Sequence, residues 1–507
     1  MMRGLFFGIW MIAAFCGIGQ DLPNRYVDPI FTQVDETSQV LFSSQVPQPR
    51  PGGGFYEWLT GYPLNADESD LEDVNLYMDI FEPNGDTLDQ RPLIILCFGG
   101  GFLDGSKDHW SIRLLAQELA KRGFVTATID YRLGMNIFDR FLAMRGVYRG
   151  VQDGRSAVRF FRADADNANT YRIDPNHIYI GGHSSGAFIA LHNLYMDKDS
   201  ERPASTRSWY HSGWLPDQDS LDNVGNNTSY DGRANGAFGL AGALGYTSYV
   251  EGGESERVVL FHSSDDGTVP FHYGTPFSSI LWAVVGSDLP PVHGSNRIAE
   301  RMDSLALVYD FNAYSNRGHG VHEETGSTLY ADILPEISDW FYSQYFLPDT
   351  LTILQDSFIC DTTKIYTYSV LENNARHIDW QLENGQFINA DTTGQAVSVR
   401  WESGPLARNV QATPYSEVLA RGFPTSKSID FKSGEQVYWI ANSGDWENES
   451  NWDLGILPDV CDDVYINSPV NPILVSLSSD IVINSLHVSN DVQLLLNTQA
   501  WLKLRKD

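Results

Sequence analysis

Two regimes of hydrophobic patterning divide this chain, and they constrain its architecture more than any other feature. As far as about Tyr345, short apolar runs alternate with stretches of helical period. The runs are VNLYMDIF (74–81), PLIILCF (92–98), FVTATID (124–130), HIYIGG (177–182), RVVLFHS (257–263) and LVYDFNAY (307–314). Between them lie segments such as WSIRLLAQELAKRG, whose Ile112, Leu115, Leu119 and Ala120 form one helical stripe. Strands alternating with helices predict βαβ units, hence an α/β fold with a doubly wound, mostly parallel sheet and helices on both faces. Around Phe346-Leu347-Pro348-Asp349 the pattern changes to short strands separated by Asn, Ser, Asp and Gly, among them IYTYSV, HIDWQL and AVSVRW. That is the composition of an all-β sandwich. Past Lys432-Ser433-Gly434 come the briefer runs VYI, ILVSL, IVINSLHV and VQLLL, which point to the rungs of a solenoid-like stack. The expected division is therefore an α/β domain over 20–348, an immunoglobulin-like sandwich over 350–430 and a stacked-β segment over 434–507.

The first nineteen residues, MMRGLFFGIWMIAAFCGIG, place one Arg before an apolar run and small residues, with polar Gln20-Asp21 following. This is the layout of a secretory signal peptide over 1–19, so the chain is expected to be secreted or held at the cell surface. The apolar run Leu5–Ile18 falls short of the roughly 20 residues that span a bilayer. No membrane span is expected. The formal charge of −31 repels nucleic acid and anionic membrane surfaces, so neither is an expected partner. Of the remaining cysteines, Cys97 sits in the apolar LIILCF and reads as a buried free thiol. Cys360 and Cys461 are free to pair in an oxidising compartment, although their spacing does not require it. No zinc ligand set is evident, and no metal or cofactor is expected. The acidic run Asp217–Asn223 lacks the Gly and terminal Glu of a calcium loop and reads as a solvated loop.

Chemistry concentrates at GHSSG (182–186), which fits G-x-S-x-G with Ser184 at its centre. HIYIGG before it reads as a strand, and AFIALHNLYM after it as a helix. A serine at such a junction sits on a sharp turn that lifts its hydroxyl clear of the sheet and brings the next amide to a helix N-terminus. An exposed serine also needs a base, an acid to orient that base, and preformed amide donors. Asp265 and Asp266 follow the strand RVVLFHS, in the loop HSSDDGTVP. His319 and His322 follow LVYDFNAY, in SNRGHGVHEE. Gly99-Gly100-Gly101 end the strand PLIILCF, where backbone N–H groups can approach a ligand closely.

With these motifs in this order, the chain over roughly 25–345 resembles the α/β-hydrolase superfamily. The likeness is to its carboxylesterase branch, related to type B esterases and bacterial feruloyl esterase-like enzymes. FGGGF (98–102), DYRLG (130–134), GVQDGRSAVRFFRADA (150–165), HSSDDGTVP and GHG (318–320) carry the resemblance beside GHSSG. It implies a serine carboxylic-ester hydrolase with Ser184 as nucleophile, acting through an acyl-enzyme. It implies oxyanion donors at Gly100, Gly101 and Ser185. The family spacing of Asp, two residues, then Val-Pro picks Asp266 as the acid, and the Gly-His order picks His319 as the base. Phe98 stands where the family often has His or Tyr. His262, His293 and His322 are expected to be structural or solvated, and Asp153 to support a helix or to pair with Arg132 or Arg155. The segment 197–234, with Trp209, Tyr210, Trp214 and Tyr230, is expected either to cover the site and line its pocket or to be a loop pinned by its own aromatics. An inactive hydrolase-fold adhesion protein and a peptidase of the same superfamily are the rival readings. Residues 351–425 resemble PKD-like modules of secreted bacterial proteins through CDTTKIYTYSV, Trp380 and Trp401. Residues 436–505 resemble the stacked-strand domains that accompany them. These resemblances imply contact with carbohydrate or a cell surface.

Overall fold

The computed structural model describes residues 24–505 apart from 53–54, 254–256, 278–285, 324–328, 372, 390, 468–471 and 498. Residues 1–19, expected to be a signal peptide, lie outside the described residues. None of the described helices is long and apolar enough to cross a membrane. The chain divides into two compact units, Met1–Tyr345 and Phe346–Asp507.

The first unit is built on an eight-stranded sheet. Its strands are β1 (Val34–Arg50), β2 (Asp67–Pro83), β3 (Arg91–Cys97), β4 (Val125–Ile129), β5 (Ile173–His183), β6 (Gly236–Leu240), β7 (Arg257–Ser263) and β8 (Tyr309–Tyr314). In space they run β1-β2-β4-β3-β5-β6-β7-β8. β1 pairs with β2, and β2 with β4, in antiparallel register; every later pair is parallel. The sequence dictates this division. Every residue of β3, β4 and β6 is buried, as a strand covered on both faces requires. The long β1–β2 pair mixes buried and exposed positions at the sheet edge.

The helices of eight residues or more among the described residues of this unit are α1 (Trp110–Ala120), α2 (Arg140–Asn167), α3 (Ser185–Tyr195), α4 (Ser295–Leu305) and α5 (Leu334–Phe341). Two adjacent residues of β5 show that both faces of the sheet are covered. The Tyr179 ring lies 4.4 Å from that of Phe341 in α5. A Cβ at Gly154 in α2 would lie 3.3 Å from Ile180 Cδ1. Neighbouring strand residues point to opposite faces, so α2 and α5 cover opposite sides.

Helix α2 begins where Asp139 accepts the N–H groups of Phe141 and Leu142. It then carries an unusual load of buried charge. Asp153 pairs with Arg132 at 2.9 Å and also accepts its N–H. Glu68 of β2 pairs with Arg145 and Arg149 at 2.9 and 2.6 Å. Asp222 pairs with Arg155 and Arg159 at 3.0 and 2.9 Å. The acidic run 217–223 is thus anchored to α2 through Asp222, while Asp217, Asp219 and Asn223 stay exposed as expected of a solvated loop.

The second unit has two buried clusters. In the first, two three-stranded antiparallel sheets enclose Tyr368, Ile378, Trp380, Val399 and Trp401. Each Trp finds an acceptor for its indole N–H, as buried indoles need: Gly394 O for Trp380 and Tyr368 Oη for Trp401. In the second cluster, Trp439, Trp446 and Trp452 pack with Val464, Val475 and Ile483. Its strands pair in parallel, with Val464 opposite Leu486 and Val475 opposite Leu494. Cys360 and Cys461 form a disulfide. Cys97 is a buried free thiol.

Candidate active site

Ser184 sits between the end of β5 and the start of α3, with φ 54° and ψ −119°. This is the sharp strand-to-helix turn expected from GHSSG. Its flanking glycines are required by contact rather than by flexibility. A Cβ at Gly182 or Gly186 would lie 2.3 or 2.1 Å from the carbonyl oxygen of Cys97. The Ser184 amide bonds to Leu240 O at the end of β6, which fixes the turn to the sheet.

The loop after β7 supplies Asp266. Its Oδ1 accepts the N–H groups of Thr268 (2.8 Å) and Val269 (3.0 Å). Its Oδ2 accepts from His319 Nδ1 at 2.7 Å and from His262 Nε2 at 3.2 Å. Burial alone would raise this carboxyl. The hydrogen bonds from His262, His319 and Thr268 outweigh burial and hold it well below the ordinary carboxylate range. An ionised carboxylate only accepts, so His319 Nδ1 carries a proton. In the neutral ring Nε2 is then an acceptor. His319 Nε2 lies 2.9 Å from Ser184 Oγ.

The alternative residues are occupied elsewhere. Asp265 accepts from Ser263 Oγ and, at 3.2 Å, from the Gly318 amide, so it shapes the loop that presents His319. His322 Nε2 meets Ser111 Oγ at 3.0 Å. Burial, then the neighbouring His109 and His319, push His322 down to about 3, which keeps its ring neutral. His183 donates from Nε2 to the His319 carbonyl at 2.9 Å. Burial, with His322 and His319 beside it, holds His183 far below the usual imidazole range. His183, His322 and Glu323 gather potential metal-ligand atoms within 4.8 Å of one another. The arrangement at Ser184 makes no use of them.

The oxyanion loop departs from expectation in one respect. Gly100 and Gly101 adopt φ of 145° and 65°, and a Cβ at Gly100 would fall 1.8 Å from Asp104 O. The Gly101 amide, expected to face an oxyanion, donates to Ser185 Oγ at 3.1 Å. Tyr131 Oη lies 3.0 Å from both Ser185 Oγ and Phe98 O. A carbonyl only accepts, so the donors run in one direction: Gly101 N–H to Ser185, Ser185 O–H to Tyr131, Tyr131 O–H to Phe98 O. An oxyanion reaches Gly101 only by sharing or displacing the first of these bonds. Phe98 stacks on Tyr131 with centroids 4.2 Å apart, so an apolar residue fits where the family often has His or Tyr.

Two cavities meet at Ser184. One is lined by Phe102, Met135, Phe188, Val269, Leu289 and Val292. The other includes Gly99, Gly100, His109, His183, His319 and Glu323. Of the two expectations for the segment 197–234, its aromatics meet the second: they pin the loop and do not line the cavities at Ser184. Trp209 packs on Phe141, and Tyr230 donates to Asp166. Tyr210 and Trp214 lie edge to face and are 63% and 75% exposed. His262 and Tyr131 are the residues that sequence reasoning missed. The sequence signal for His262 was its place four residues before Asp266.

Residues 78–213 match the protein-family model described as BD-FAE. The neuroligin-like protein glit-1 of Caenorhabditis elegans is 34% identical over 128 residues, 25% of this chain and 16% of that protein. The isoprenylcysteine alpha-carbonyl methylesterase ICME of Arabidopsis thaliana is 27% identical over 228 residues, 43% of this chain and 45% of that protein. Lipase 2 of Geotrichum candidum is 28% identical over 168 residues, 31% of this chain and 29% of that protein. The chain thus spans less than half the length of each of these relatives. Among solved structures, an esterase from Thermogutta terrifontis with bound propionate is 21% identical, covering 54% of this chain and 90% of that one at a TM-score of 0.37. Strand order, the turn at Ser184 and the matched segment together give the first unit an α/β-hydrolase architecture, similar to that of carboxylesterases.

Proposed function

We propose that this chain is a serine carboxylic-ester hydrolase working through an acyl-enzyme. The observation that carries the reading is the unbroken line from Ser184 Oγ through both nitrogens of His319 to Asp266, at 2.9 and 2.7 Å. In this reading His319 removes the proton from Ser184 as its oxygen attacks the ester carbonyl. Asp266 holds the ring in the required tautomer and stabilises the imidazolium. The amides of Gly100 and Ser185, with Gly101 once it is released from Ser185 Oγ, stabilise the tetrahedral oxyanion. His319 then protonates the leaving alcohol, and water repeats the sequence on the acyl-serine. The residue pattern over 1–19 and the Cys360–Cys461 disulfide support export to an oxidising compartment. The sandwich and stacked strands of the second unit support a spacing or attachment role on carbohydrate or a cell surface.

The test is fluorophosphonate labelling and p-nitrophenyl acetate turnover on the full chain and on Ser184→Ala. Labelling and turnover by the wild type that vanish in the variant are expected. A folded wild type that neither labels nor turns over ester would leave a binding protein.

A further inference from the structure

The two cavities at Ser184 differ in which catalytic group they contain. His319 lines only the second, beside His109, His183 and Glu323. The base must reach the leaving oxygen, so the alcohol of a bound ester lies on that side. The acyl group then occupies the first cavity, bounded by Phe102, Met135, Leu289 and Val292.

This acyl side does not end at its own wall. Val147, Phe188, Pro290 and Val292 also line an adjoining cavity, which extends past Met144, Met196 and Tyr249. The two hold about 490 and 570 Å3 of empty space, mouths included. Their polar groups are already engaged. Ser185 Oγ belongs to the relay through Tyr131. Tyr148 and Tyr249 donate to the carbonyls of Asp219 and Glu201. His192 donates to Phe188 O and accepts from the Gly245 amide, and burial lowers it to about 4, so its ring stays neutral. Tyr246, the remaining side chain there with a hydroxyl, is largely exposed. A phenolic hydroxyl carried into this space would lose water and find at most the Tyr246 hydroxyl at the rim as a partner. Methylenes would meet only apolar surface, with methionines that adapt to irregular chains.

We infer that the substrate joins a medium or long aliphatic acyl chain to a polar alcohol, held on the side lined by His109, Thr268 and Glu323. The chain runs from Ser184 past Val147 and Phe188 into the second chamber. The inference rests on the esterase reading above and adds to it the class of ester.

The experiment compares kcat/KM for p-nitrophenyl acetate, butyrate, octanoate and ferulate on the full chain. A rise of about tenfold or more from acetate to octanoate is expected, with ferulate well below octanoate. Val147→Trp, which fills the passage, should lower the octanoate-to-acetate ratio about tenfold. Met144→Trp, which fills only the far chamber, should lower it less. On the alcohol side, 2-hydroxyethyl octanoate should be cleaved several times faster than butyl octanoate. Ferulate equal to octanoate, a flat chain-length series, or an unchanged ratio in a folded Val147→Trp each overturns the acyl assignment. Butyl octanoate cleaved as fast as the hydroxyethyl ester overturns the alcohol assignment. A wild type that hydrolyses acetate without favouring octanoate sinks this inference alone. One that hydrolyses no ester sinks the esterase reading with it.

Discussion

His262 and His319 donate to the same carboxylate oxygen, Oδ2 of Asp266, at 3.2 and 2.7 Å. Only His319 continues to Ser184. His262 is fully buried, its other nitrogen 3.0 Å from Ser295 Oγ. It therefore fixes the acid without touching the reacting atoms. Asp266→Asn should cut kcat by on the order of 10³–10⁴, because the base loses its orienting charge. His262→Asn should cost about tenfold, from one hydrogen bond to a charged group. Kinetics across pH separate the two. Asp266→Asn moves the acid limb of kcat/KM to lower pH, because an imidazolium beside a neutral amide is harder to form. His262→Asn leaves that limb nearly in place.

Tyr131 sits in the middle of the relay from Gly101 to Phe98. Tyr131→Phe removes both of its hydrogen bonds and leaves the Phe98 carbonyl without this donor. The turn carrying Gly100 should loosen, with kcat falling about tenfold and KM changing less, since a ground-state ester makes little use of those amides. Steady-state kinetics on one p-nitrophenyl ester measure the split.

Acid should destabilise the first unit earlier than its carboxylates alone would. Burial holds His192 at about 4 and His322 at about 3, against an ordinary value near 6.5. In the unfolded chain both take up protons first. Their contribution to stability is complete above about pH 6.5 and is lost as pH falls towards the folded values. By pH 5 each costs on the order of 2 kcal/mol. Thermal midpoints measured from pH 7.5 to 5 should fall, and the slope should flatten in His192→Gln.

The disulfide in the second unit closes a separation of 101 residues. Cys360→Ser with Cys461→Ser should lower that unit's stability by about 3–5 kcal/mol, mainly because the unfolded chain is no longer tethered. Calorimetry with and without a reductant reads this directly. The reductant should leave the double variant unmoved.

Local signals were read well, and contacts across the fold were not. GHSSG could be interpreted because a strand precedes it and a helix follows. The sheet of the first unit followed from runs such as PLIILCF, buried on both faces. Val269-Pro270 singled out Asp266, and it is Asp266 that meets His319. The relay was hidden because Phe98, Gly101, Tyr131 and Ser185 come together only when β3, β5 and the loop after β4 are side by side. His262 could be read only as structural, because a histidine next to last in RVVLFHS gives no sign that it reaches Asp266. The aromatics Trp209, Tyr210 and Trp214 left two readings open, since side-chain type says nothing of whether a ring faces a pocket, a neighbour or water. Of the buried charges of α2, the pair of Asp153 with Arg132 was legible, whereas Glu68 and Asp222, the partners of Arg145, Arg149, Arg155 and Arg159, were hidden because they lie far away in the chain.

The backbone at Ser184 also sets which nucleophiles evolution or engineering can try there. With φ at 54°, the position admits unbranched side chains and strongly disfavours β-branched ones, whose extra methyl crowds the turn. Cysteine can be exchanged for the serine in one step and keep the geometry. Threonine, although it too carries a hydroxyl, is closed off by the path of the chain before any question of reactivity arises.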